Sequence, residues 1–356
     1  MKIRLVVLVA LTLAVYGCGS SGGSNSNSHP AYLVVPQSNH VIGYRIVYTS
    51  GKLSTMSGSP FPTGVSPSAV SVAPSKQFVY AVDSVDNDVV AYSADDKGAL
   101  TEITPRTAAG IGPAAVANDP SGKFLFVANQ GSGDVSVFSI ATGGKLTEIP
   151  GSPFRVGSGP IALAVAPSGK FLYVSNSNSS NISAFTIDAS TGFLTPVPGT
   201  PFPLGFAPFG IAIDPGEKFI YVALPQANGF TGLTIDPTSG ALSLITTVPF
   251  VAGTGPASVA VNATYIYVAN LGSNNVSAYT YDATSGLATQ ITDSPFAVGT
   301  GPASVAVDPG NPFVYVVNQR SKDISAFKAA SSTGKLNAVD GSPFTTGNAA
   351  TSMVIP

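Results

Sequence analysis

The stretch Gly255-Pro-Ala-Ser-Val-Ala-Val261 returns unchanged as Gly301-Pro-Ala-Ser-Val-Ala-Val307, and looser copies run along most of the chain. No other feature constrains the fold as strongly, because a period in the forties means one small unit stacked many times. Three landmarks align the copies. The first is Gly-Pro, or a variant of it, opening an Ala/Ser/Val run: Ser66-Pro67, Gly112-Pro113, Gly159-Pro160, Ala207-Pro208, Gly255-Pro256 and Gly301-Pro302. The second is an aromatic run such as Tyr173-Val-Ser-Asn176 or Tyr267-Val-Ala-Asn270. The third is a run such as Ile182-Ser-Ala-Phe-Thr-Ile187, followed by a glycine and a short segment, Gly192-Phe-Leu-Thr195. Ser-Pro-Phe separates copies, as at Ser59-Pro60-Phe61, Ser152-Pro153-Phe154, Ser294-Pro295-Phe296 and Ser342-Pro343-Phe344.

Each copy reads as four short strands, A to D, rich in β-branched and aromatic residues and bounded by Gly, Pro, Asn, Asp and Ser. A four-stranded unit of this length is a blade of a β-propeller, so the fold class is all-β. The ends set the count. Ala31-Tyr-Leu-Val-Val-Pro36 is a B strand with no A strand before it, and the segment from Ala349 to Pro356 is an A strand with no B strand after it. The last strand is therefore expected to complete the first blade, closing a ring of seven blades over residues 31–356 without a free edge. Tight turns such as Asp119-Pro-Ser-Gly-Lys123 fit, with Pro presetting φ and Gly supplying φ > 0.

The Tyr-Val-x-Asn, Ser-Ala-Phe and Gly-x-Leu-Thr strands resemble the bacterial YVTN-type propeller repeats. They also resemble the wider seven-bladed lactonase-like family that includes 6-phosphogluconolactonase. The resemblance covers about residues 31 to 356 and concerns the repeat. As an activity it implies lactone hydrolysis by His, Arg and Glu side chains around the channel. That set does not map residue by residue onto this chain, and a shared fold leaves the activity open. The chain contains no Trp, which excludes WD-type repeats.

The N-terminus reads as a targeting segment. Lys2 and Arg4 precede an apolar stretch from Leu5 to Tyr16, too short for an ordinary membrane span. Cys18, the single cysteine, follows at once, and the pattern looks like a bacterial lipoprotein processing site. Residues 1–17 are then a signal peptide. Residues 18–30 are a lipidated Cys18 and a flexible Ser/Gly/Asn tether that includes His29. The alternative is an ordinary secretory signal with an incidental cysteine. Either way the expected address is outside the cytoplasm, and the lipoprotein reading puts it in the bacterial cell envelope, anchored to the membrane through the N-terminal lipid.

Only 10% of residues are charged and the formal net charge is −2, so no basic stripe marks a nucleic-acid ligand. No Gly-x-Ser-x-Gly elbow, phosphate-binding loop or His-Glu-x-x-His motif occurs, and no cofactor is expected. Of two histidines, His40 falls in a B–C loop and has no partner legible in sequence. Glu102 and Glu148 fall on D strands and Glu217 in an A–B turn, away from a channel mouth.

Arg106 and Arg155 read as equivalent loop residues before strand A in adjacent blades, and Arg320 lies in the last B–C loop with Lys322. Each arginine is a solvated cation or a bidentate site for a carboxylate or phosphate. Asp83, Asp86 and Asp88 are a solvated acidic turn or a weak candidate metal site, since their spacing departs from a calcium loop. Asn129, Asn176, Asn270 and Asn318 recur at the B–C loops. They are turn formers or a neutral surface for a glycan, peptide or partner protein. Taken together, these readings favour a non-catalytic, exported binding or scaffold propeller. The alternative is a lactonase-like hydrolase using Arg106, Arg155, Arg320 or His40 at the channel mouth.

Overall fold

The computed structural model describes residues 27–356. Residues 1–17, Cys18 and the tether up to residue 26 lie outside the described residues. The rest is a ring of seven antiparallel sheets, each a meander in the order D-C-B-A. In blade 4, for example, A is Pro160–Val165, B Phe171–Asn176, C Asn181–Ile187 and D Leu194–Pro196. The ring closes as expected. Ser352–Val354 is strand A of blade 1 and pairs with strand B, Ser28–Val35, in the register Tyr32↔Val354 and Val34↔Ser352.

Two departures from the sequence reading matter for function. First, in six blades the segment around Ser-Pro-Phe (Thr-Pro-Phe in blade 4, Val-Pro-Phe in blade 5) is not a plain loop. Its phenylalanine and the next residue form a fifth strand against the start of strand C, as Phe154–Arg155 does against Val135 and Asp134. Blade 2 alone replaces this with one long D strand, Leu100–Ala108. Arg155 and Arg106 therefore sit in strands rather than loops and are not equivalent. Arg155 faces Asp134 across the sheet, and in blade 2 Ala108 holds the matching place opposite Asp88. Second, strand B of blade 1 begins at Ser28 rather than Ala31, so His29 belongs to the blade. It is buried, stacks on Tyr48, and its Nε2 lies 3.0 Å from Oδ2 of Asp308. Residues 279 apart in sequence thus meet where the ring closes.

Strands A and B are buried on both faces in blades 3, 4, 6 and 7, because blades stack face to face and leave neither side to solvent. A tyrosine of strand B reaches from one blade to the next. Tyr32, Tyr80, Tyr173, Tyr221 and Tyr315 each donate to the carbonyl of a glycine in the following blade's C–D turn: Gly98, Gly144, Gly240, Gly286 and Gly51, at 2.7–3.1 Å. Each bond is worth about 1 kcal/mol net, on top of a fully buried ring. Near the axis, Phe209 of blade 5 packs with Leu271 against Ala257 and Ala303, residues that open the inner strands of blades 6 and 7.

Candidate functional site

One face of the disc carries the B–C loops and the D–A connections, and every sequence-selected arginine and asparagine lies on it or at its edge. The asparagines are turned inward. In blade 4, Asn176 ends strand B. Its Nδ2 donates to Oδ1 of Asn181 at 2.8 Å and to Oγ of Ser183 at 2.9 Å. The D–A connection folds over this pair, and Gly157 donates its N–H to the same Ser183 Oγ at 3.2 Å. Gly157 must lack a side chain, since a Cβ there would meet Ser179 Oγ at 2.4 Å and Asn176 Cγ at 2.7 Å.

The same knot recurs with Asn129 on Asp134 and Ser136, Asn270 on Asn275 and Ser277, and Asn318 on Asp323 and Ser325. All four amides are fully buried. They hold the loop face together and do not form its surface.

Blade 2 varies the knot. Asp83 replaces the asparagine and accepts from the N–H groups of Ser66, Val85 and Asp86 at 2.6–3.0 Å. Asp88 stands opposite it in register, so two carboxylates occupy the place of a donor and an acceptor. Oδ1 of Asp88 is buried without a partner. Burial above all, with Asp83, Asp86 and Glu102 adding and Arg106 opposing, pushes the Asp88 pKa up to about 6. Arg106 is neutralised where it stands: Nε lies 2.8 Å from Glu102 Oε1 and Nη1 lies 3.9 Å from Asp86 Oδ2. Among the described residues no group of three or more His, Cys, Asp or Glu is placed to hold a metal ion, and Asp83, Asp86 and Asp88 form no such set.

Arg155 donates from Nη1 to the carbonyl of Ser132 at 3.2 Å. Arg320 differs from both. Its stem lies over Gly301, at the head of the inner strand of blade 7, with Cγ 2.6 Å from where a Cβ would stand. The equivalent seat in blade 4 holds Asn178 over Gly159, and blades 3 and 6 place Gly131 and Gly272 there. Arg320 is exposed, and no ion pair or hydrogen bond engages its guanidinium among the described residues. It is thus an unneutralised cation at the rim where the inner strands begin.

Blades 1 and 5 lack the knot. Val35 and Leu224 replace the asparagine, and both B–C loops become short 3-10 turns, Pro36–Ser38 and Pro225–Ala227. Gly347 and Gly205, the counterparts of Gly157, adopt positive φ and have nothing within 4 Å of where a Cβ would stand. In blade 1 this opens a cleft of about 310 Å³ between the first and last blades, lined by His40 among others. Sequence reasoning found His40 but not the cleft. The available signal was Val35, the residue that breaks the Tyr-Val-x-Asn pattern.

The fold and repeat define a lactonase-type seven-bladed propeller. The chain belongs to the family described as lactonase, 7-bladed beta-propeller, whose model matches residues 24–160, 147–261 and 244–351. No curated protein matches the sequence. Among solved structures, the chain is similar to a Bacteroides fragilis protein provisionally named a 6-phosphogluconolactonase, at 18% identity and TM-score 0.80, covering 94% of this chain and 99% of that one. It is also similar to a Lactobacillus plantarum protein, at 20% identity and TM-score 0.78, covering 92% and 98%. A third is a periplasmic gluconolactonase of Pseudomonas aeruginosa, at 18% identity and TM-score 0.76, covering 92% and 100%. At these identities the likeness is one of fold.

Proposed function

We propose that this protein hydrolyses an uncharged sugar lactone at the rim of the loop face, with Arg320 stabilising the charge that develops. The observation that carries the reading is the unpaired Arg320 guanidinium over Gly301, in a chain that belongs to the lactonase family. Water adds to the lactone carbonyl carbon and negative charge builds on the carbonyl oxygen. Collapse breaks the ring C–O bond, the ring oxygen takes a proton, and a hydroxy acid is released. A guanidinium serves both stages, as a donor to the oxyanion and as a bidentate partner of the carboxylate. Gln319 stands beside Arg320 in the same B–C loop, and the B–C loops of blades 3 and 4, across the ring, carry Gln130 and Asn178, neutral groups suited to the hydroxyls of an unphosphorylated sugar.

The test is acid release by the purified protein from glucono-δ-lactone and from its 6-phosphate. Turnover of the unphosphorylated lactone above the spontaneous rate is expected, with kcat/KM falling about 10²-fold in Arg320→Ala. Hydrolysis no faster than in buffer, or an Arg320→Ala variant as active as the parent, rejects the assignment.

A second reading is favoured by one observation. Among the described residues neither histidine stands beside Arg320: His29 is buried against Asp308 at the opposite face, and His40 lies at the blade 1–7 seam. On that reading the protein is a non-catalytic envelope module, anchored through Cys18, in which Arg320 binds a carboxylate without turnover.

A further inference from the structure

The blade 1–7 seam carries a second, separate site. We infer that its cleft, of about 310 Å³, binds a neutral saccharide of monosaccharide size through His40, Asn348 and Ser38. The inference starts from a position in the repeat. The first residue of strand C is Asp134, Asn181, Asn275 or Asp323 in the knotted blades, and there it accepts a hydrogen bond from the buried asparagine. In blade 1 this position is His40, facing Val35 across the hairpin. Valine offers no partner, and no group among the described residues bonds the imidazole. The glycine that elsewhere presses onto the knot, here Gly347, has swung to φ +73 with open space around it. The volume occupied by a knot in four other blades is therefore left as a cleft beside a free ring.

Blade 5 shows that the cleft is not the automatic result of losing the knot. Leu224 also removes the asparagine there, yet the first residue of strand C is Gly229, and the carbonyl of Phe250 lies 2.4 Å from where its Cβ would be. The Phe250 carbonyl takes the place of that side chain. Blade 1 instead keeps the space and points polar groups at it. Oγ of Ser38 is buried with no partner. The Asn348 side chain is exposed and unengaged. The Tyr44 hydroxyl is fixed by donation to the Thr345 carbonyl at 3.0 Å, which sets its ring and that of the buried Ile42 as an apolar wall.

No carboxylate, lysine or arginine lines the cleft. A pocket with an apolar wall, hydroxyls, one amide and an imidazole, and no fixed charge, matches a ligand with many hydroxyls and no ionised group. Two sources share that chemistry, a free sugar and the end of a neutral glycan.

The inference is independent of turnover at the rim, and so is its test. Titration calorimetry of the full chain uses methyl β-D-glucoside and maltotriose, neither of which contains a lactone. Saturable binding of at least one is expected, weakened about tenfold or more in His40→Ala and in Asn348→Ala, and unchanged in Arg320→Ala. Stronger binding of the glucoside identifies a free sugar as the ligand, and stronger binding of maltotriose a glycan end. Asn348 is an exposed loop residue, so its variant guards against misfolding of the His40 variant, and thermal unfolding of both confirms the fold. No saturable heat with either sugar overturns the inference, as does binding that both variants leave intact. Sugar binding without lactone turnover would retain this site and reject the proposed activity, and the converse result would do the opposite.

Discussion

Blades 4 and 1 are built on the same repeat and end in opposite ways. In blade 4 the loop face is sealed by Asn176, Asn181, Ser183 and Gly157, and every one of these side chains or backbone groups faces inward. In blade 1 the three knot positions hold Val35, His40 and Ile42, which leaves the first side chain of strand C free and lets the D–A connection lift. The repeated polar knot seals the loop end of a blade, and the seam cleft opens where the knot is missing.

The sharpest way to break this comparison is to add one methyl group. Gly157→Ala drives a Cβ into Ser179 Oγ and Asn176 Cγ, and a loss of about 3 kcal/mol is expected. Gly205→Ala, in knotless blade 5, meets nothing within 4 Å and carries only the left-handed backbone cost of about 1 kcal/mol. Urea unfolding of both variants checks the pair. Equal losses would mean that the knot does not explain the glycine.

Next in size is Asn176→Leu, which copies Leu224 of blade 5 into blade 4. It strips Asn181 and Ser183 of their donor, and a loss of about 2 kcal/mol is expected by the same measurement. A neutral result would show that leucine packing at this position replaces the knot without cost.

The smallest effect concerns blade 2, where the knot is present but mismatched. Folding raises the Asp88 pKa to about 6, so the folded state holds its proton more tightly than the unfolded chain. The group therefore favours folding most below its unfolded pKa of about 4, and this benefit fades as pH rises through about 6. Asp88→Asn restores the donor–acceptor pairing opposite Asp83 and removes the buried charge. A gain of about 1 kcal/mol is expected above pH 6, after allowance for solvent screening of a partly exposed group, vanishing near pH 4. Unfolding measured at pH 7.5 and pH 4 checks the sign. A gain of the same size at both would exclude ionisation as the cause.

Much of this was legible before any coordinates. The Gly-Pro-Ala-Ser-Val-Ala-Val repeat fixed the blade, and the unpaired strands at residues 31–36 and 349–356 fixed the closure, because only a ring satisfies both orphan edges. The site was less legible. Asn176 looked like a loop residue because it precedes Ser177-Asn178-Ser179, and nothing local reveals that Gly157, nineteen residues earlier, covers it. Arg106 and Arg155 looked equivalent because both precede strand A in adjacent blades, but cross-strand register sets their places, and register shifts where blade 2 keeps one long strand. His29 looked like tether because the groups that bury it, Asp308 among them, arrive only when the last blade meets the first.

By itself, then, the sequence determined the unit, its number and the way the ring shuts, because strand periodicity and turn chemistry act within one blade. Which polar residues are sealed in and which stay free was decided by the tertiary structure alone. A hydrogen-bonding side chain at a strand end is buried or exposed by what folds over it, and that cover comes from the preceding connection or the neighbouring blade. Asn176 is sealed by such a cover, His40 is left without one, and Arg320 rests on a glycine that gives it a seat but no partner.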